Sequence, residues 1–142
     1  MTDGHVEAPA DSTAFVHSVM PLCETLGVRA PVMTAAEVQL TLAWAPHLCT
    51  SNGLLHGGAI MTLADSAGAA AASLNLPEGA AGTSTIESKT NFLGAVRDGV
   101  VTATSRPLHV GSTTIVVETE VRNGDKLVAK VTQTQAVLRP RN

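Results

Sequence analysis

The sequence predicts an α+β domain in which a curved antiparallel sheet wraps around one long, thin central helix. Three observations carry this expectation. An apolar run rich in Ala and Gly extends from Gly57 to Leu74 and is ended by Asn75 and Pro77, which reads as a helix. The segment before it alternates with period two, as a half-buried strand does. Four further strand-like segments follow it without interruption. A helix that is apolar on almost every side must be covered all round, and a curved antiparallel sheet meets that need. Close wrapping requires a thin helix, and Gly68 with the alanines at 67 and 69 to 72 provides one.

The elements follow in order. Residues 1–11 are polar and proline-bearing and read as a loose tail, leaving 12–142 as a single domain. Ser12 is a candidate cap for a helix from Thr13 to Leu26, with Phe15, Val19, Leu22 and Leu26 at helical spacing. Pro21 puts a kink or break inside it, and Gly27 closes it. From Ala36, Val38, Leu40, Leu42 and Trp44 alternate with Glu37, Gln39, Thr41 and Ala43, and Pro46 stops the strand. Residues 47 to 55 read as loop. After the long helix come strands over Gly82–Leu93, Gly99–Leu108, Thr113–Arg122 and Leu127–Leu138. In the third of these, Ile115, Val117, Thr119 and Val121 share one face. Asn123-Gly124-Asp125-Lys126 between the last two is a hairpin signal.

Bulk properties narrow the function classes. The 142 residues carry a net charge of −3 with no long basic run, which disfavours a nucleic-acid groove or an anionic membrane surface as partner. With 2% aromatics and no tyrosine, the core must be built from Val, Leu, Ile and Ala. Such small side chains leave apolar surface that favours oligomerisation. The first residues show neither the basic nor the apolar region of a signal peptide, and the alanine-rich helix carries Asp65, so no membrane span is expected. Cys23 and Cys49 lack metal-type spacing and read as free thiols, which points to the cytoplasm.

Asp65 is the only full charge between Glu37 and Glu78, and it sits inside the most apolar run of the chain. A carboxylate flanked by Leu63, Ala64 and Ala67 loses hydration, which is costly unless it is paired or put to use. The same helix opens with His56-Gly57-Gly58. N–H groups at a helix start have no intrahelical partner and carry the positive end of the macrodipole. Two glycines leave them uncovered, so they either polarise a carbonyl oxygen or simply make the turn into the helix. Asp65 lies eight residues beyond Gly57, about 12 Å along the axis. If both serve one site, Asp65 must come from a second copy lying antiparallel across a two-fold axis; otherwise it is a lone carboxylate at the core edge.

Other candidates carry bland readings beside the functional ones. His56 is a cap or a site residue, and Asn52 is a turn residue first and a substrate contact second. Ser84 and Thr85 can orient a water from their strand, though Thr is common in strands anyway. No nucleophilic triad order, phosphate loop or metal-ligand cluster stands out, so neither cofactor nor metal is expected.

Gly53-Leu54-Leu55-His56-Gly57-Gly58-Ala59, followed by Leu63-Ala64-Asp65-Ser66-Ala67, resembles the signature of hotdog-fold acyl-CoA thioesterases of the phenylacetate-degradation (PaaI-like) type. Thr85-Ile86-Glu87 leading to Asn91-Phe92-Leu93 is similar to that family's next strand, and His109-Val110-Gly111 to a following turn; the likeness spans roughly residues 36 to 138. The resemblance implies a hotdog fold, dimers with interfacial sites paired into a homotetramer, and hydrolysis of acyl-CoA. It assigns Gly57 N–H to the thioester carbonyl, Asp65 to general base or nucleophile, His56 to support and Thr85 to the water. Asn52 joins the substrate contacts, Phe92, Leu93 and Gly94 with His109, Val110, Gly111 and Ser112 line the CoA channel, and Arg97 or Arg106 meets phosphate. Two positions depart from the pattern: Thr50 where relatives have Asn, and Ser112 where a basic residue is common.

Hydrolysis of acyl-CoA is the leading reading. A non-catalytic acyl-CoA or acyl-carrier binding protein would keep the groove without turnover. A dehydratase needs a histidine paired with a carboxylate across the substrate, and no such pair is evident. Ala59, Gly68 and Ala69 suggest room for a bulky acyl group.

Overall fold

Period-two alternation and the long apolar helix both appear where the sequence places them. The computed structural model describes residues 11–142, so the expected loose tail lies outside the described residues except for Asp11. The elements run α1 (Thr13–Val19), α2 (Pro21–Leu26), β1 (Arg29–Met33), β2 (Val38–Ala43), α3 (Gly57–Ser73), β3 (Gly82–Phe92), β4 (Val100–Val110), β5 (Thr114–Asn123) and β6 (Lys126–Leu138). Two short 3-10 turns, Pro46–Leu48 and Ser51–Gly53, fill the loop before α3.

Six strands form one antiparallel sheet in the order β1-β2-β4-β5-β6-β3, and α3 packs on its inner face. Leu40, Leu42, Val101, Ile115, Val117 and Val131 from the sheet share one buried cluster with Leu63, Ala64, Ala67 and Ala71 from the helix. The expected face of Ile115, Val117, Thr119 and Val121 is buried. Asn123 pairs with Lys126 across the expected hairpin.

Three expectations need correction. The helix over 13–26 is two helices, because Pro21 has no N–H to continue α1 and instead opens α2. Ser12 makes no capping bond; Asp11 Oδ1 accepts the Thr13 N–H at 2.8 Å instead. β1 is unanticipated, since Pro31 within it argues against a strand, and it is tolerated because β1 is an edge. The curved sheet around the long central helix is as expected, and it leaves Met61 40% and Leu74, just past the helix end, 42% exposed. Among the described residues no helix is long and apolar enough to cross a membrane.

The Thr13 hydroxyl and N–H, with Arg29 at 3.5 Å, hold the Asp11 carboxyl below its ordinary range. Its stabilising effect is therefore present above the ordinary aspartate pKa and lost as pH falls through the lowered folded value. Asp11→Ala is expected to reduce stability to urea at neutral pH, with the deficit shrinking as pH falls below the ordinary aspartate range. A deficit that stays constant with pH would show that the carboxylate is not its source.

Candidate functional site

α3 presents an open stripe along the flank beside the β3 edge of the sheet. Met61, Thr62 and Asp65 on the helix line a groove of about 320 Å³ with Thr85 and Ser88 of β3. Asp65 is half-buried, not enclosed as its sequence neighbours suggest, because it projects along this open stripe.

Four side chains meet at the groove floor. Thr85 Oγ1 donates to Asp65 Oδ1 at 3.0 Å, and Gln133 Nε2 donates to the same oxygen at 3.4 Å. Gln135 Nε2 donates to Thr85 Oγ1 at 2.6 Å. Both glutamines are fully buried on β6. Strand register explains the meeting. Gln135 pairs with Thr85 and Gln133 with Ser88, and a bulge at Ile86 lets both β3 hydroxyls face the helix although they are three residues apart. Glu87 and Lys89 pair with Thr134 and Thr132, which alternate with the buried glutamines and so lie on the outer face.

Gly68 makes the packing possible. A Cβ there would lie 2.6 Å from Gln133 Nε2 and closer still to its Cδ and Oε1. The space once ascribed to an acyl group at Gly68 is thus filled by a carboxamide. The Oε1 atoms of Gln133 and Gln135 have no partner among the described residues. A buried polar atom left unpaired costs about 1–3 kcal/mol.

The helix start forms a second group. His56 caps α3, its Nδ1 accepting the Gly58 N–H at 2.8 Å, which leaves the proton of the neutral ring on Nε2. No acceptor among the described residues takes the Gly57 N–H. The Phe92 ring covers Gly57, whose Cβ would meet it at 3.1 Å. Leu93 and Gly94 follow, their N–H groups bonded to Val128 O at 2.8 and 3.2 Å. Arg97 is exposed beside Val96, whose carbonyl accepts the Leu55 N–H, so it lies close to the helix start. Arg106 does not fit a phosphate role: its guanidinium is paired with Glu37 at 2.6 Å.

A third group sits at the β4–β5 turn. Val110, Ile115, Gln135 and Thr85 form one row across four strands, placing His109–Ser112 at the Thr85 end of the sheet, about 14 Å from it. Ser112 is not basic, but Arg139 Nη2 donates to its carbonyl at 2.8 Å and brings a cation to the turn. Asn52 stands apart, exposed and in the left-handed conformation at φ 63°, which is the turn role. One chain therefore separates the Gly57 group from the Asp65 group by two turns of α3 and does not close them into one site. Among the described residues no cluster could hold a metal ion.

The sequence pattern of the thioesterase superfamily matches residues 52–130, from Asn52 through both groups on α3 and into β6. The chain belongs to the thioesterase superfamily. Its fold is the hotdog fold of that family. A Vibrio cholerae protein named "Putative esterase" is 32% identical over 121 residues, covering 84% of this chain and 80% of that protein. A mutant thioesterase of Pseudomonas aeruginosa superposes with a TM-score of 0.82 at 26% identity, covering 89% of this chain and 93% of that one. A Haemophilus influenzae thioesterase gives 0.78 at 27% identity, covering 87% and 90%. This thioesterase-superfamily chain is accordingly a hydrolase of thioesters in the general sense.

The glutamines were missed by the motif search, yet a signal existed. Val131, Gln133, Gln135 and Val137 occupy the buried phase of a period-two strand, where two amides are out of place. Gly68→Ala isolates this packing. Helix propensity alone favours Ala by about 1 kcal/mol, so any loss is steric. The expected loss is about 1–3 kcal/mol in urea titrations, reversed in part by adding Gln133→Ala. A neutral Gly68→Ala would mean that the carboxamide does not need the slot.

Proposed function

We propose that this protein hydrolyses acyl-CoA thioesters in the PaaI-like manner, at sites formed between two copies of the chain. The observation that carries the reading is the pairing of features on α3. A carboxylate fixed beside an open groove and an unpartnered N–H at the helix start stand about 12 Å apart on one helix. Two such helices antiparallel across a two-fold axis bring Asp65 of one copy to the partner's Gly57. The exposed β3 edge supports such pairing, with Ile86 63% and Phe92 52% exposed alongside Met61. Pairs of these dimers would make the tetramer.

In this reading Asp65 is the general base. Thr85 and Ser88 line its groove with hydroxyls able to hold a water beside it. The water oxygen bonds to the thioester carbon as its proton passes to Asp65. The resulting oxyanion is held by the partner's Gly57 N–H, with His56 Nε2–H close by. The C–S bond then breaks, and the departing thiolate takes the proton back from Asp65.

The acyl group has a seat one helical turn beyond the carboxylate. Ala69, Ser73 and Leu74 face Phe15, Val19 and Met33 across an apolar cavity of about 430 Å³. Phe92–Gly94, Asn52 and His109–Ser112 would border the CoA chain, with Arg97 and Arg139 for its phosphates. Free Cys23 and Cys49 suit a reducing compartment, the cytoplasm.

Thiol release from a panel of short, long and aromatic acyl-CoAs tests the reading. Wild-type turnover is expected, with Asp65→Asn lowering kcat at least about a hundredfold while acyl-CoA still binds. Binding without turnover by the wild type would make the protein an acyl-CoA binder. Arg139→Ala is expected to raise KM for acyl-CoA about two- to fivefold and to leave a phosphate-free acyl thioester unaffected. Equal effects on both thioesters would remove Arg139 from the phosphate contacts.

A further inference from the structure

Beneath Asp65 the inner face of the sheet is amide rather than hydrocarbon. Gln133 and Gln135 are fully buried, lie two residues apart on β6, and each donates toward the Asp65 carboxyl, the first directly and the second through Thr85. Gln133 Nε2 reaches Asp65 Oδ1 directly, and lies 3.5 Å from the Asp65 carbonyl oxygen as well. Gln135 Nε2 reaches Thr85 Oγ1, which passes its own hydrogen to Asp65 Oδ1. Both lines end on one oxygen. No donor among the described residues reaches Oδ2.

We propose that Gln133 and Gln135 are positioning residues for Asp65, one acting directly and one through Thr85. They hold the carboxyl by Oδ1 so that Oδ2 faces the groove. The catalytic meaning rests on the hydrolase reading; the positioning itself does not.

The two unpartnered acceptors explain why amides stand here. A base alternates between carboxylate, which needs donors, and carboxylic acid, which needs an acceptor. A carboxamide carries both at one end. With Asp65 charged, the chain runs from Gln135 N–H to the Thr85 hydroxyl to the carboxylate. With the proton on Oδ1, the same chain reverses after a half-turn of the Gln135 amide: the Oδ1–H donates to Thr85, whose hydrogen turns to Gln135 Oε1. Gln133 offers its own Oε1 in the same way after a half-turn of its terminal amide. The orphaned oxygens are acceptors for the protonated state of the site.

Among the described residues, no other titratable group faces Asp65 from α3, β3 or β6. It is the one ionisable side chain on α3; the inner face of β6 beneath it holds the glutamines, and that of β3 holds Thr85 and Ser88. Lys130 is turned outward onto Glu118 and Glu120, and Glu87 and Lys89 share that outer face.

The test follows the Asp65 carboxyl carbon by 13C NMR titration, without substrate, beside the kinetics. Gln133→Met removes a donor to the charged form, so the Asp65 midpoint is expected to move to higher pH. In turnover it should lower kcat about tenfold or more with KM within about twofold. Gln135→Met should produce a smaller upward movement, and none when Thr85 is already Val, because its effect passes through that hydroxyl. This second pair of variants decides the matter if Gln133→Met fails to fold. An unmoved midpoint in Gln133→Met, or a Gln135→Met effect that persists in Thr85→Val, would overturn the proposal. A wild type that turns over no thioester would sink the hydrolase reading alone, leaving the titration to judge the positioning.

Discussion

The structure depends on how closely the sheet can approach α3. Large side chains would hold the two apart, and the buried helix positions are instead mostly Ala and Gly. The bulk of the core comes from the strands: Leu40, Leu42, Ile115, Val117 and Val131 reach inward to a helix that offers little of its own. Interiors pack at near-crystalline density, so this division of volume leaves few alternatives. At Gly68 the approach is closest, and the group admitted there is the carboxamide of Gln133. Thinness at one position of the helix is therefore what lets the sheet touch Asp65 one turn earlier.

Much of this was legible in the chain because two patterns do not resemble one another. The uninterrupted apolar run over α3, with its Asn75 and Pro77 stop, and the alternation in β2 and β5 marked those elements to within a few residues. The hairpin at Gly124-Asp125 was equally plain, since few turns fit that pair. β1 stayed hidden because Pro31 forbids a central strand and says nothing against an edge. At the site, Asp65, Gly57 and His56 could be read from their chemistry and spacing. Gln133 and Gln135 could not, since nothing in β6 alone says which helix residue they lie under. That depends on a cross-strand register fixed only when β3 joins the far edge.

The half-burial of Asp65 settles a tension within the sequence. An apolar helix calls for cover on all sides, while a carboxylate calls for water or partners. The fold answers both by covering α3 from the sheet side and leaving the stripe of Met61, Thr62, Asp65 and Ala69 accessible. The carboxylate keeps solvent on one oxygen and fixed donors on the other. The apolar residues left on that stripe are the surface a second copy would cover.

The bulge at Ile86 has a consequence for how this strand tolerates change. Side chains along a strand alternate, so one surplus residue inverts the parity of everything beyond it. Between Thr85 and Glu87 that inversion happens once. Residues 87 to 92 keep one phase with β6 and residues 82 to 85 the other. Losing the bulged Ile86 would leave every β3–β6 pair as it is and keep Thr85 and Ser88 on the helix face by ordinary alternation. Losing Glu87 as well would make the two hydroxyls adjacent and turn one of them outward. Drift along β3 is thus quantised: two residues between Thr85 and Ser88 need the bulge, one residue needs none, and an unbulged pair would split the hydroxyls between the two faces.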